Sequence, residues 1–321
     1  MERSMDISRL RKVSCCLLAG GALAMAALVC SAQDTVENSK EACSLPRLKD
    51  AVRVDGYIFR TYKGGEGNND NCLQVSHNGK IIFRRTLFSS WKYVLGQPEE
   101  KKWKIPGIPN GTDITGRGRP DMIVSFYSGG AHCCNIHYVF ELEPEFKLLK
   151  TLDVADTETA YFADLDRNHH FFFIAEDWTF AYWWVSFAGS PIHSVVLRFV
   201  DDLNGGGFHL DLDKMSRPAP TPEEWKAMHR DVDGELELNH KQMFNNLPDI
   251  LWQKVIDLIY TGHSDLAWKF LDEVDPHAQL EPYPDLAAFC MTLKSSPYWP
   301  DLEPSIKNMP PACVQAKPNR K

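Results

Sequence analysis

Residues 128–137 read SGGAHCCNIH, two adjacent cysteines flanked by His132 and His137. Three chemistries suit that set. The first is a metal site, since imidazole and thiolate are good zinc or copper ligands. In an extended chain, however, Cys133 and His137 share one face while His132 and Cys134 share the other. One face then offers two ligands, and the rest must come from elsewhere. The second is redox or nucleophilic chemistry, with a thiolate activated by His132 or His137. No CxxC pair, G-x-S-x-G elbow or HExxH motif occurs in the chain to support it. The third is a structural seam. Adjacent strand residues point to opposite faces, so Cys133 and Cys134 can each bridge a different partner. Cys43 and Cys72 are the candidates, while Cys290 and Cys313 can close the C-terminal end on themselves.

Two further groups have chemical potential. DITGRGRPD, from Asp113, and DLDRNHHFF, from Asp164, each place oxygen side chains at alternate positions just before a strand-like run. These are Asp113 and Thr115, with Asp121 further on, and Asp164, Asp166 and Asn168. Calcium takes six to eight such hard oxygen ligands from a tight loop. The aromatic run WTFAYWWVSF sets Trp178, Phe180, Tyr182 and Trp184 on one face of a strand and Trp183 and Phe187 on the other. Such rings stack on sugars or, more commonly, fill a core. Trp178, Tyr182 and Trp184 are therefore the candidate ligand-binding residues. Glu176 and Asp177 precede them, but adjacent strand residues point apart, a poor arrangement for a paired acid and base.

The two acidic loops resemble the FG-GAP/VCBS-type repeats of β-propeller proteins, whose loop reads Asp-x-Asp/Asn/Thr-Gly-Asp-Gly-x-x-Asp/Glu before a strand. The resemblance covers residues 105–180. It implies propeller-type β structure and a calcium loop at Asp164, Asp166 and Asn168. DITGRGRPDMIVSFYSGGAHCC, FADLD, FAYWW, SFAGSP and LIYTGH together also resemble a group of uncharacterised exported bacterial proteins, which implies an envelope location and no activity. Both loops depart from the pattern. Arg117 stands where the family has Asp, and its guanidinium is expected to replace the cation by pairing with Asp113 and Asp121. Arg167 and His169 replace the glycines of the second loop, and Phe172 takes its ninth place. Calcium affinity follows ligand count, so the simpler expectation is two turns held by Asx-type hydrogen bonds.

The elements that must position these groups are legible in outline. Residues 1–32 have a basic start, an apolar run and small residues at Cys30 and Ala32, the layout of a signal peptide. The run is shorter than the roughly 20 residues of a membrane span, and no other stretch is apolar enough to span one. Six cysteines remain after its removal, an even number that in an exported chain implies disulfides. The net charge of −8 and the absence of a Lys/Arg cluster exclude nucleic acid as a partner. Residues 33–49 read as a flexible segment and 50–212 as a mostly antiparallel β domain. A hairpin turns at Asn78-Gly79, and residues 171–188 read as a buried strand pair. A helical region fills 213–321. It opens on the capping box Thr221-Pro222-Glu223-Glu224, with a helix to about Arg230. The alternating stretch at 231–240 reads as a solvated strand or loop. Helices over 249–260 and from Ser264, the latter after Gly262, form a hairpin, and another spans 285–293.

The expected fold class is α+β: an open or compact antiparallel β fold followed by helices. The expected function is that of an exported, periplasmic or secreted protein, a non-enzymatic binding or structural module whose partner is an envelope component or another protein. The alternative is a hydrolase of an envelope polymer, with His132, His137 and Asp177 near its cleft. That alternative requires His132, Asp164, Glu176 and Asp177 to converge on one pocket. The binding reading instead requires part of the 178–187 run to be exposed.

Overall fold

The computed structural model describes residues 43–317, apart from 65, 68, 90, 131, 132, 158, 203–205, 242–248 and 275–285, and apart from the side chains of 133 and 239–241. The leader at 1–32, most of the segment expected to be flexible, and His132 lie outside the described residues.

The fold is α+β. Among the described residues, twelve strands form three successive four-stranded antiparallel sheets in which neighbours in sequence are neighbours in space. The first sheet holds β1 (Arg47–Val54), β2 (Tyr57–Lys63), β3 (Asp70–His77) and β4 (Lys80–Phe88). The second holds β5 (Tyr93–Leu95), β6 (Asp121–Gly130), β7 (Cys133–Glu141) and β8 (Lys147–Asp153). The third holds β9 (Tyr161–Ala163), β10 (Phe172–Asp177), β11 (His193–Val200) and β12 (Gly207–Leu210). The β3–β4 hairpin turns at Asn78-Gly79, both with positive φ. β1 begins inside the segment expected to be flexible, and Cys43 is tied to Cys72 of β3.

Period-2 patterning explains the layering. In β6, Met122, Val124 and Phe126 point into one core with Phe59, Val75 and Phe83 of the first sheet, while Ile123 points into the other. In β7, Tyr138 and Phe140 join the first core and Val139 the second. The second sheet is thus buried on both faces, which is why its strands read as continuous apolar runs.

Among the described residues the helices that follow are α1 (Leu212–Met215), α2 (Pro222–Lys241), α3 (Asp249–Tyr260), α4 (Ser264–Val274), α5 (Leu286–Leu293), α6 (Trp299–Leu302) and α7 (Pro311–Gln315). The capping box of α2 is formed: the Thr221 amide donates to Glu224 Oε2 at 2.7 Å and the Glu224 amide to Thr221 Oγ1 at 3.2 Å. The helix does not stop near Arg230. It runs through the stretch expected to be a strand or loop, because Val232 and Leu236, four residues apart, both pack on the core. Ser264 is the first residue of α4, but its hydroxyl accepts the amide of Lys307 at 2.8 Å instead of capping the helix. Cys290 of α5 is bridged to Cys313 of α7. The helices share one core with the third sheet and the far face of the second, so residue 212 marks a change of secondary structure within a common core.

The aromatic run is not a strand. β10 ends at Asp177, and residues 178–186 form turns. Phe180, expected on the face of Tyr182 and Trp184, is instead buried.

Candidate functional site

The two acidic loops occupy equivalent places, between the first and second strands of the second and third sheets. They also share a construction. Asp113 accepts the amides of Arg117 at 3.0 Å and Gly118 at 2.6 Å. Asp164 accepts those of Asn168 at 3.0 Å and His169 at 2.9 Å, the same four- and five-residue offsets. Positive φ falls at Gly116 and Gly118 in the first loop and at Arg167 and His169 in the second, so both copies wind the same way. A non-glycine residue in that conformation costs about 1–2 kcal/mol. Burial raises the pKa of Asp164, but the amides of His169 and Asn168 outweigh it and hold the carboxyl below its usual range.

Backbone amides and one lysine already engage the loop oxygens. Asn168 Oδ1 accepts the His170 amide at 3.0 Å, and Asp166 pairs with Lys214 of α1. Among the described residues, no group of three or more His, Cys, Asp or Glu stands where it could hold a metal ion. Arg117 does not pair with Asp113 and Asp121 as expected. Its guanidinium reaches Glu141 of β7 at 3.0 Å and Asp201 at 3.6 Å. Glu141 is almost fully buried and also takes Arg119 at 3.1 Å and Lys147 at 3.3 Å, which makes it the stronger anchor. Asp121, opposite Glu141 in the β6–β7 register, is held by the amides of Ile114 and Thr115 and the Thr115 hydroxyl. Burial, only partly offset by those bonds, pushes its pKa up to about 7. The loops converge on a polar cleft of about 500 Å³, lined among others by Thr115, Asp166, His170, Arg198, Asp211 and Lys214. Asp211 faces Arg198 at 3.4 Å, so the main charges of the cleft are matched internally.

The aromatic run forms a different surface. Trp183 turns inward, edge-on to Trp252 and Phe289, and Phe180 stacks on Phe289. Between and beyond them, Tyr182 and Trp184 point outward, 55% and 61% exposed, with φ of 57° and 59°. Trp178 stacks on Phe187 with ring centroids 5.0 Å apart, and Tyr182 meets Phe187 at 5.3 Å. Trp178 Nε1 donates to Thr157 Oγ1 at 3.0 Å. Half-buried Glu176 stands beside Trp178; burial and the nearby Asp156 charge raise its pKa, against the Trp178 hydrogen bond.

Of the candidate residues in SGGAHCCNIH, Cys134 and His137 can be placed. His132 and the Cys133 side chain lie outside the described residues. Cys134 is disulfide-bonded, and Cys43 and Cys72 are not its partners, because they bond to each other. The seam expected between these two pairs is therefore not formed. His137 is a core histidine. Its Nδ1 bonds the Ser125 hydroxyl at 2.9 Å, its ring meets Phe173 edge-on, and burial lowers its pKa to about 4. Among the described residues it belongs to no group of His, Cys, Asp and Glu that could hold a metal ion.

Asp177 is likewise consumed. Its carboxylate accepts the hydroxyls of Tyr260, Ser296 at 2.7 Å and Thr179, and the Thr179 amide at 2.9 Å. Burial first, and then the Asp177 charge, raise the pKa of Tyr260 far above the ordinary phenol value. This knot ties the end of β10 to α3 and to the turn after α5. Asp164 lies in a separate loop and Glu176 on the opposite face of β10, so Asp164, Glu176 and Asp177 do not converge. Lys214, Glu141 and Tyr260 organise these regions and carry no local sequence signal; charge pairing across 22 or more residues is visible only in the fold.

The chain matches no protein-family model, no curated protein and no solved structure.

Proposed function

We propose that this protein is an exported, non-enzymatic binding module that contacts a glycan of the cell envelope through the 178–187 aromatic loop. The carrying observation is that Tyr182 and Trp184 are held outward in left-handed backbone. Each such residue costs about 1–2 kcal/mol in backbone strain. Strain of this kind clusters at binding surfaces. The exposed rings offer apolar faces to the C–H faces of a sugar. Trp183, wedged against Trp252 and Phe289, fixes the loop so that little is lost on binding. The Cys43–Cys72 and Cys290–Cys313 disulfides, and no helix among the described residues long and apolar enough to cross a membrane, are compatible with export. The paired acidic loops support the propeller-type resemblance and serve this reading as scaffold.

The test is tryptophan fluorescence of the mature protein titrated with soluble oligosaccharides cut from envelope glycan. The expected result is a saturable change that Trp184→Ala weakens about tenfold or more. No saturable change with any oligosaccharide, or equal affinity in the variant, refutes the reading.

A further inference from the structure

A second site, separate from the aromatic loop, lies in the helical region. Glu224, Ala227, Met228 and Asp231 fall on one stripe of α2, and Lys254, Asp257 and Leu258 on one stripe of α3, with Thr261 just past its end. With Arg217, Pro218, Pro220 and His263 they line an open cavity of about 350 Å³. That lies within the range of small-molecule sites. One end is closed by Lys254, paired with Asp231 at 2.9 Å, and the Glu224 carboxylate is spent on the cap of its own helix.

Two charged groups remain for a ligand. Among the described residues the Arg217 guanidinium has no hydrogen-bonding or ionic partner, and only its backbone is engaged, by Thr261 and by His263 Nε2. Asp257 is the pole of opposite charge on the same lining. The two protein donors that reach it, His193 Nδ1 at 2.8 Å and Gln253 Nε2 at 2.9 Å, both go to Oδ1. Oδ2 is left to a side chain that is 42% exposed on the cavity. Buried His193 and Gln253 lock the carboxylate in place, as a preorganised acceptor requires. The apolar part of the same lining is Pro218, Pro220, Ala227, Met228 and Leu258.

We propose that this cavity binds a zwitterionic amino acid or dipeptide with an apolar side chain. The carboxylate is held by Arg217, the ammonium by Asp257 Oδ2, and the side chain by Met228 and Leu258. A guanidinium suits a carboxylate in bidentate geometry, and a single open carboxylate oxygen suits an ammonium. A ligand of one sign would leave the other pole unmatched.

The experiment is calorimetric titration of the mature protein with leucyl-leucine, leucyl-leucinamide, which lacks the carboxylate, and N-acetyl-leucyl-leucine, which lacks the ammonium. Leucyl-leucine is expected to bind about tenfold or more tightly than either half-charged analogue, the difference made by one charge-assisted contact. Arg217→Gln is expected to bring leucyl-leucine down to the affinity of leucyl-leucinamide and leave the amide unchanged. Arg217 is exposed and its side chain partnerless, so the variant keeps the fold. Absence of binding, equal affinity for all three compounds, or an equal loss for dipeptide and amide in Arg217→Gln overturns the proposal.

Discussion

Asp121 and His137 give the second sheet two buried groups whose titrations oppose each other. Asp121 titrates near pH 7 in the fold, against an ordinary value of 3.8. Between those values the folded state keeps a proton that the unfolded state has lost. Its contribution is therefore complete below about pH 4 and disappears as pH rises to 7. About three pK units at 1.36 kcal/mol each amount to about 4 kcal/mol. His137 runs the other way. Its folded pKa is about 4, against 6.5. As pH falls from 6.5 to 4 the unfolded state takes up a proton that the fold refuses, and about 3 kcal/mol is lost. Within pH 4–6.5 the two slopes, each about 1.4 kcal/mol per pH unit, cancel. Urea denaturation across pH 4–8 separates them. Asp121→Asn should uncover a stability that falls on acidification, and His137→Phe one that rises. The Ser125 hydrogen bond lost in the second variant adds only a pH-independent offset. If the stability difference between Asp121→Asn and wild type is constant from pH 4 to 7, the carboxyl is not held protonated and the burial argument fails.

Other outcomes follow from the loops and bridges. Arg167→Gly and His169→Gly each relieve left-handed strain, less the entropy of a new glycine, and should raise stability by about 0.5–1 kcal/mol in urea titrations; Gly116→Ala in the matching loop should lower it. Glu141→Ala leaves Arg117 without its buried partner and should cost about 3 kcal/mol, the low end for a broken buried pair, because Arg119 and Lys147 are 35% and 42% exposed and can rehydrate; a loss below 1 kcal/mol contradicts the anchoring role. A non-reducing peptide map should show Cys43 linked to Cys72 and Cys290 to Cys313, with Cys134 bonded to none of these four.

The legible parts of this fold were those decided locally. The Asn78-Gly79 turn, the Thr221 capping box and the α3 stripe each follow from a few adjacent residues, and all formed. The Asx construction of both loops was legible for the same reason. Period reading failed where a pattern fitted two structures. Val232, Leu236 and Leu238 alternate with acids, yet helical spacing of the first two settled the element as α2. The run from Trp178 alternates inward and outward without strand pairing, through left-handed Tyr182 and Trp184, residue types that give no turn signal. Long-range partners were invisible. Lys214 meets Asp166 48 residues away, Asp177 meets Ser296 119 residues away, and Arg117 chose Glu141 because that carboxylate is buried.

The most direct measurement of the proposed role is co-sedimentation of the mature protein with insoluble envelope glycan, comparing wild type with the Tyr182→Ala/Trp184→Ala double variant. Both residues are exposed, so the variant should fold as wild type does. Wild type is expected to pellet saturably and the variant to remain in solution. If both pellet alike, or neither does, the aromatic loop is not a glycan-contact surface.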